Sequence, residues 1–521
     1  MPSCRSALKW GFLFSYASLP IAAAHWPDFR MEGLDGLLWG GSFLSLITGN
    51  CTMRDNTTIA AQWVRLAYHD MSTHDVGDGS GGLDASIAFE LDRAQNIGIG
   101  MAGSVSDFLG FTSPSVSLAD VIAVGTVLGV ASCGGPLIPL RGGRVDATTP
   151  GPATVPEPQE DLASHTESFK RQGFSQSEMI ALVACGHSLG GVRTEDFPDI
   201  IHAPVDGNVA LFDGTQGFDH TVVSGYLDGT TPNPLVIGPN STTNSDLRIF
   251  SSDGNATMQS LASPENFNKV CADLFERMID TVPRGVQLTE VVEPMQYKVG
   301  QTTLFPGNDG MLRLTTGIRV VGLHSSRCVT LFWNDRQGSV CSTAGCSASP
   351  SSTFESVGTF MAVRRGIDGY TTYTFDTKVN VTSSISKFWF KIEEGDGSEA
   401  VLVDNDGAGL VINQDTVLFD RARSAFVTEG TTFHLNLVVA VRTSDPTTKV
   451  SALTYAIGTE AQPTPKRETV ELSPDSRFPP VVGYTFFSGN FPNSLQWVDI
   501  AAEVEGGVVR ETNIQVSILR E

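Results

Sequence analysis

Arg65 and His69 stand four residues apart in the run Trp63-Val-Arg-Leu-Ala-Tyr-His-Asp70. In a helix that spacing places both side chains on one face. A base beside a fixed cation suits cleavage of an O–O bond: the base moves a proton while the cation steadies the charge left behind. Asp70 follows at once, and Gly82-Leu-Asp84-Ala-Ser86 lies a short loop downstream with oxygen ligands suited to a hard cation. Farther on, Gly186-His187-Ser188 ends another helical run. Two histidines in such different settings suggest the two sides of a haem.

These residues need helices to hold them. The spacing predicts a helix through Ile59, Trp63 and Leu66 toward His69, capped by Asp55 or Asn56. Ser117-Leu-Ala-Asp120 opens a second helix over Val121 to Val130, which stops at Cys133-Gly-Gly-Pro136. Ser175-x-x-Glu178 is a capping box for a third, which ends between Gly186 and Gly191. Phe267 to Ile279 closes a mainly helical region running from about residue 30 to 282. From about residue 300 the texture changes. Phe388-Trp-Phe-Lys-Ile392, Phe433 to Val441 and Asn513 to Leu519 are alternating or β-branched runs between turn residues. They predict a β-sandwich or a pair of small β-modules, with the hinge between Val282 and Gly310 and a surface loop over Ser347 to Ser356.

Composition limits the partners. The 521 residues are long enough for two cores, and the net charge of −23 argues against nucleic acid and anionic membranes. Arg5 and Lys9 precede an apolar run that ends in Ala22-Ala23-Ala24, the pattern of a signal peptide over 1–24 and of a secreted chain. No later segment is apolar enough to span a bilayer. A leader would remove Cys4 and leave seven of the eight cysteines. Asn50, Asn56, Asn240, Asn255 and Asn380 lie in N-x-Ser/Thr sequons, as in a glycosylated secreted protein.

Arg65-x-x-Tyr68-His69-Asp70, Asn96, Ala119-Asp120, Gly143-Arg144-x-Asp146 and Ala184-Cys-Gly-His187-Ser188 occur in an order that resembles the plant-type haem peroxidase superfamily, in its secreted fungal branch. The resemblance implies a two-lobed helical haem domain over 25–290, followed here by a β-rich region over 300–521. It implies haem b held by His187, with a carboxylate on that histidine's other nitrogen: Asp253 first, Asp246 second. It gives Arg65, His69 and Asn96 the catalytic roles and puts Tyr68 and Phe212 against the haem. It implies two calcium ions, one on Asp70, Gly82, Asp84 and Ser86, the other on Ser188, Asp213, Thr215 and Asp219. It also implies a Cys51–Cys133 disulfide and a second between Cys185 and Cys271.

The departures from the family narrow the donor. Thr58, Gln62 and Arg193 stand where manganese-oxidising members carry acids. Leu182 stands where the lignin-type members carry a tryptophan, and Phe212 where the cytochrome-oxidising members do. The resemblance therefore implies reduction of H2O2 with small phenolic or aromatic donors. Two other readings stay open. One is a relic haem domain on a cell-surface or carbohydrate-binding protein, with Trp333, Trp389 and Trp497 of the β-rich region as contacts. The other is a haem protein of peroxygenase or catalase-like chemistry.

Overall fold

A computed structural model describes residues 26–201, 205–337, 346–429 and 432–520. The expected leader lies outside these residues. The helices are α1 (Phe29–Leu38), α2 (Ile59–Met71), α3 (Ile99–Leu109), α4 (Leu118–Ser132), α5 (Leu162–Arg171) and α6 (Gln176–Gly186). After them come α7 (Thr221–Asp228), α8 (Pro234–Ile237), α9 (Ser245–Phe250), α10 (Ala256–Ser260) and α11 (Pro264–Asp280). A last short helix, α12 (Phe360–Arg364), lies inside the β-rich region. Among the described residues no helix is long and apolar enough to cross a membrane.

The core of the helical region forms around α4, every residue of which is buried. Asp146 caps its start by accepting from Leu118 N–H at 2.9 Å and Ala119 N–H at 2.8 Å. Asp120 turns away from its own helix start to accept from Gly143 N–H at 2.9 Å and Arg144 Nη1 at 3.1 Å. The two framework motifs of the sequence therefore hold each other. Helix α2 crosses α4 at Gly129, where an added Cβ would stand 3.2 Å from Ala60 Cα. Thr58, not Asp55 or Asn56, caps α2, accepting from Ala61 N–H at 3.1 Å. Asp55 and Asn56 instead form the left-handed turn of the hairpin that delivers the chain to the helix, at φ of 54° and 62°. Helix α6 has the full capping box between Ser175 and Glu178. Cys51 is bonded to Cys133 and Cys185 to Cys271, pinning the approaches to α2 and α6.

The C-terminal region is built of β-sheets. One sheet is ordered 352–357, 369–379, 312–321 and 297–299, with 303–306 also beside 312–321. A second is ordered 401–403, 387–393, 328–334 and 347–348, with 410–411 also beside 387–393. Their inner faces share one core, including Leu314, Ile318, Leu331 and Ile392, with Phe375 and Phe390 in ring contact at 5.4 Å. This is a sandwich. Residues 417–515 form a separate eight-stranded antiparallel sheet around its own core of Phe419, Leu437, Phe487 and Ile500. It curls until Phe419 N–H, on its first strand, donates to Glu511 Oε2 on its last at 2.8 Å. Leu418, Val438 and Phe486 of this sheet also pack into the sandwich core, so the β-rich region is a sandwich with a curled sheet set against it. Ser352–Val357, read from sequence as part of a loop, is an exposed edge strand. Trp333 is buried and Trp497 half-buried. Trp389 stacks on Phe332 on the sheet face turned away from the core.

Candidate active site

A cavity of about 740 Å³ separates α2 from the end of α6, and Arg65, Tyr68, His69, His187, Phe212 and Asp246 all line it. Arg65 and His69 share the face of α2 that forms one wall, as their spacing predicts. His69 Nδ1 meets Asn96 Oδ1 at 2.8 Å. Asn96 cannot flip without loss, because its Nδ2 donates to Glu90 O at 3.0 Å. Its carbonyl oxygen must therefore face the imidazole, which puts the histidine proton on Nδ1 and leaves Nε2 bare. Burial, and then the charge of Arg65, depress the His69 imidazolium to a pKa of about 3. His69 is thus a free base at any ordinary pH. Arg65 donates to Ile97 O at 3.2 Å and Gln95 O at 3.3 Å, with its guanidinium 5.6 Å from the Phe197 ring centre. Burial lowers its pKa to about 10, so it stays charged.

On the opposite wall His187 ends α6, and its Nδ1 meets Asp246 Oδ2 at 2.7 Å. The carboxylate on His187 is Asp246, not Asp253. Asp253 is spent on local structure, accepting from Thr257 N–H at 2.9 Å and from Thr257 Oγ1 at 2.6 Å. Asp246 lies in the first turn of α9, which packs against α6. Phe212 lies flat on His187, with ring centres 4.1 Å apart and planes 13° apart. Sequence reasoning missed Asn233, whose Nδ2 donates to the same Asp246 oxygen at 2.7 Å. Asn233-Pro234 could be read as a helix start, but nothing local pointed it toward Asp246.

Asp70, Asp84 and Ser86 converge beside the end of α2. Asp70 accepts from Ala85 N–H at 2.7 Å and Ile87 N–H at 2.9 Å, and Asp84 accepts from Ser86 N–H at 3.1 Å. Burial, and then the neighbouring Asp84, hold the Asp70 carboxyl well above its ordinary range. Gly82 begins the same loop at φ +120°, where a Cβ would strike Thr281 O. On the other side, Thr215 Oγ1 donates to Asp213 Oδ1 at 3.0 Å, while Asp213 Oδ2 is buried with no hydrogen-bond partner among the described residues. Burial raises Asp213 to about 6, and Asp219 adds to the rise. Ser188 Oγ donates to Cys185 O at 2.8 Å, and Asp219 accepts from Thr221 N–H at 2.7 Å. Paired buried carboxylates with hydroxyls beside them, one oxygen orphaned, fit a hard cation.

Residues 50–251 match the model of the peroxidase family. This stretch is a plant-type haem peroxidase domain. Over 446 residues the chain is 34% identical to a WSC domain-containing protein of Arthroderma benhamiae, covering 83% of this chain and 57% of that protein. It is 40% identical over 135 residues to putative L-ascorbate peroxidase 6 of Arabidopsis thaliana, 25% of this chain and 41% of that one. It is 35% identical over 157 residues to manganese peroxidase 3 of Phlebia radiata, 29% of this chain and 42% of that one. The chain therefore spans between two-fifths and three-fifths of these relatives. The first similarity extends beyond the peroxidase domain into the β-rich region.

Proposed function

We propose that the chain is a secreted peroxidase that reduces H2O2 to water and oxidises small phenolic or aromatic donors. One observation carries the reading: two histidines line one cavity, each tied at Nδ1 to a side-chain oxygen, a bond that leaves Nε2 uncommitted. The cavity fits haem b, with His187 Nε2 to hold the iron and Phe212 to keep its ring from turning. Bound haem would accept two oxidising equivalents from peroxide and return them one electron at a time.

The residues supply position and protons. His69 Nε2 takes a proton from one oxygen of H2O2 and delivers it to the other, which leaves as water. Arg65 faces the negative charge that develops as the O–O bond lengthens. Asn96 keeps His69 in the only tautomer that can start this transfer. The two calcium ions would sit on the oxygen sets around Asp70 and Asp213, each next to a helix end that carries a histidine.

The donor side is read from the positions where manganese-oxidising members carry acids. Thr58 caps α2, and Gln62 Oε1 accepts from Arg54 Nε at 2.8 Å. Neither they nor Arg193 can supply the carboxylates that a manganese ion needs. Small aromatic donors remain the class that an open, partly apolar cavity admits.

The test is to express the chain with haemin and calcium and record the Soret band before and after H2O2, with a phenolic dye present. The expected result is haem uptake, a peroxide-dependent spectral change and dye oxidation. His69→Ala should slow the peroxide-dependent change about 10²- to 10⁴-fold while leaving haem uptake intact. A chain that takes up no haem sinks the proposal. Haem uptake without dye oxidation moves the chemistry to catalase-like or peroxygenase turnover.

A further inference from the structure

Asp246 Oδ2 takes two hydrogen bonds, one from His187 Nδ1 and one from Asn233 Nδ2, both at 2.7 Å. We infer that Asn233 is a positioning residue that sets how strongly Asp246 draws on the His187 proton, and through it the electron density His187 offers on its cavity-facing nitrogen. This rests on the reading of His187 as the haem ligand.

The amide of Asn233 is held so that it can do little else. Its Oδ1 caps α8, accepting from Leu235 N–H at 2.8 Å. Thr231 Oγ1 accepts from the Asn233 backbone N–H at 3.2 Å. With the oxygen committed to the helix, the amide nitrogen must point the other way, toward Asp246. Asn233 is fully buried and Asp246 nearly so. Water cannot compete for that oxygen, and each donor counts at the strength of a low-dielectric site.

The physical consequence follows from sharing one acceptor. A carboxylate oxygen that already accepts a short bond from an amide carries less free charge for its second donor. The His187 Nδ1–H is then pulled less than an unshared aspartate would pull it. Ser245 Oγ adds only a long contact of 3.4 Å, to Asp246 Oδ1. Among the described residues, Asn233 is the one that competes with His187 on Asp246 Oδ2.

Two substitutions separate this role from helix capping. Asn233→Ser keeps a capping oxygen for α8 but is too short to reach Asp246, whereas Asn233→Leu removes both cap and donor. In the haem-free protein, the proton NMR signal of His187 Nδ1–H should move downfield in both variants as that bond strengthens. In the haem-loaded protein, both should raise the iron–histidine stretching frequency and lower the iron reduction potential. An unchanged signal and frequency in Asn233→Ser overturn the inference, as does a shift confined to Asn233→Leu, which would assign the effect to the cap. If Asn233→Leu does not fold, Asn233→Ser decides alone. A wild-type chain that binds no haem defeats the functional reading, and the haem-free spectrum still decides whether Asn233 competes for Asp246.

Discussion

His69 is a base whose proton affinity has been pushed far from that of free histidine. Burial comes first among the causes and the Arg65 charge second, while the Asn96 hydrogen bond pulls weakly the other way. The sign of the stability linkage follows from the depressed value. The unfolded chain binds this proton near pH 6.5 and the folded one only near 3. The histidine's contribution is therefore complete above pH 6.5 and drains away as pH falls toward 3. The same shift fixes the kinetics. The rate of the peroxide step, followed by stopped-flow pH jump, should be flat from pH 8 to about 5 and fall only as pH nears 3. A fall centred near pH 6.5 would mean that His69 is not the base. Residues of this kind were legible because their geometry is local: four residues of one helix place Arg65 beside His69 whatever the rest does. The choice between Asp246 and Asp253 was not local. Both lie near a helix start, and which of them reaches His187, 59 residues away in sequence, is settled by how α9 packs on α6.

At the scale of elements, the helices that carry the histidines end in oxygen-rich loops. The Asp70 carboxylate closes α2 against the 82–87 loop, and after α6 Ser188 Oγ donates back to Cys185 O while Asp213 accepts from Thr215. In each place burial or a second carboxylate raises the first, the electrostatic cost a divalent cation would remove. Stripping calcium with a chelator should lower the melting temperature, and calcium present at a hundredfold its dissociation constant should restore about 2.7 kcal/mol per site. Asp70→Asn should reduce that increment, as thermal melts with and without calcium will show. An identical calcium response in Asp70→Asn would remove Asp70 from the ligand set. The helices were readable from their periodicity and their Ser-x-x-Glu or Ser-x-x-Asp starts. The cap of α2 was misplaced because Asp55, Asn56 and Thr58 are all good caps, and only the hairpin's left-handed turn decides among them. Ser352–Val357 escaped because an exposed edge strand has no buried face to impose alternation.

At the scale of the whole molecule, the change from helical to β texture near residue 300 showed two regions but not how they hold each other. The joint is built from residues far apart in sequence. Asp35 of α1 is fully buried and lies 2.7 Å from Arg319 and 3.1 Å from Lys298, both on sandwich strands. It also accepts from Met295 N–H at 3.0 Å. Helix α12 leaves the β-rich region to bury Met361 in the helical core, and Arg364 donates to Ala131 O and Gly135 O at the end of α4. Trp26 closes the other side, edge-on to Phe388 and tied to Asn405 at both its N–H and its carbonyl. No periodicity could have revealed these contacts, since each half of every pair reads as an ordinary surface charge or core apolar residue. Their arrangement makes the sandwich part of the haem domain's own packing rather than a tethered passenger. Asp35→Ala would leave Arg319 and Lys298 facing each other without their shared counter-charge, a loss of about 3–5 kcal/mol for a buried cluster of this type. Calorimetry of the wild-type chain should show the helical domain and the sandwich melting together, with the Soret band of the haem-loaded protein lost in the same transition. Asp35→Ala should lower that transition and split it, the helical domain leaving first. A wild-type chain whose Soret band disappears well below the melting of the sandwich would show that the joint carries no such coupling.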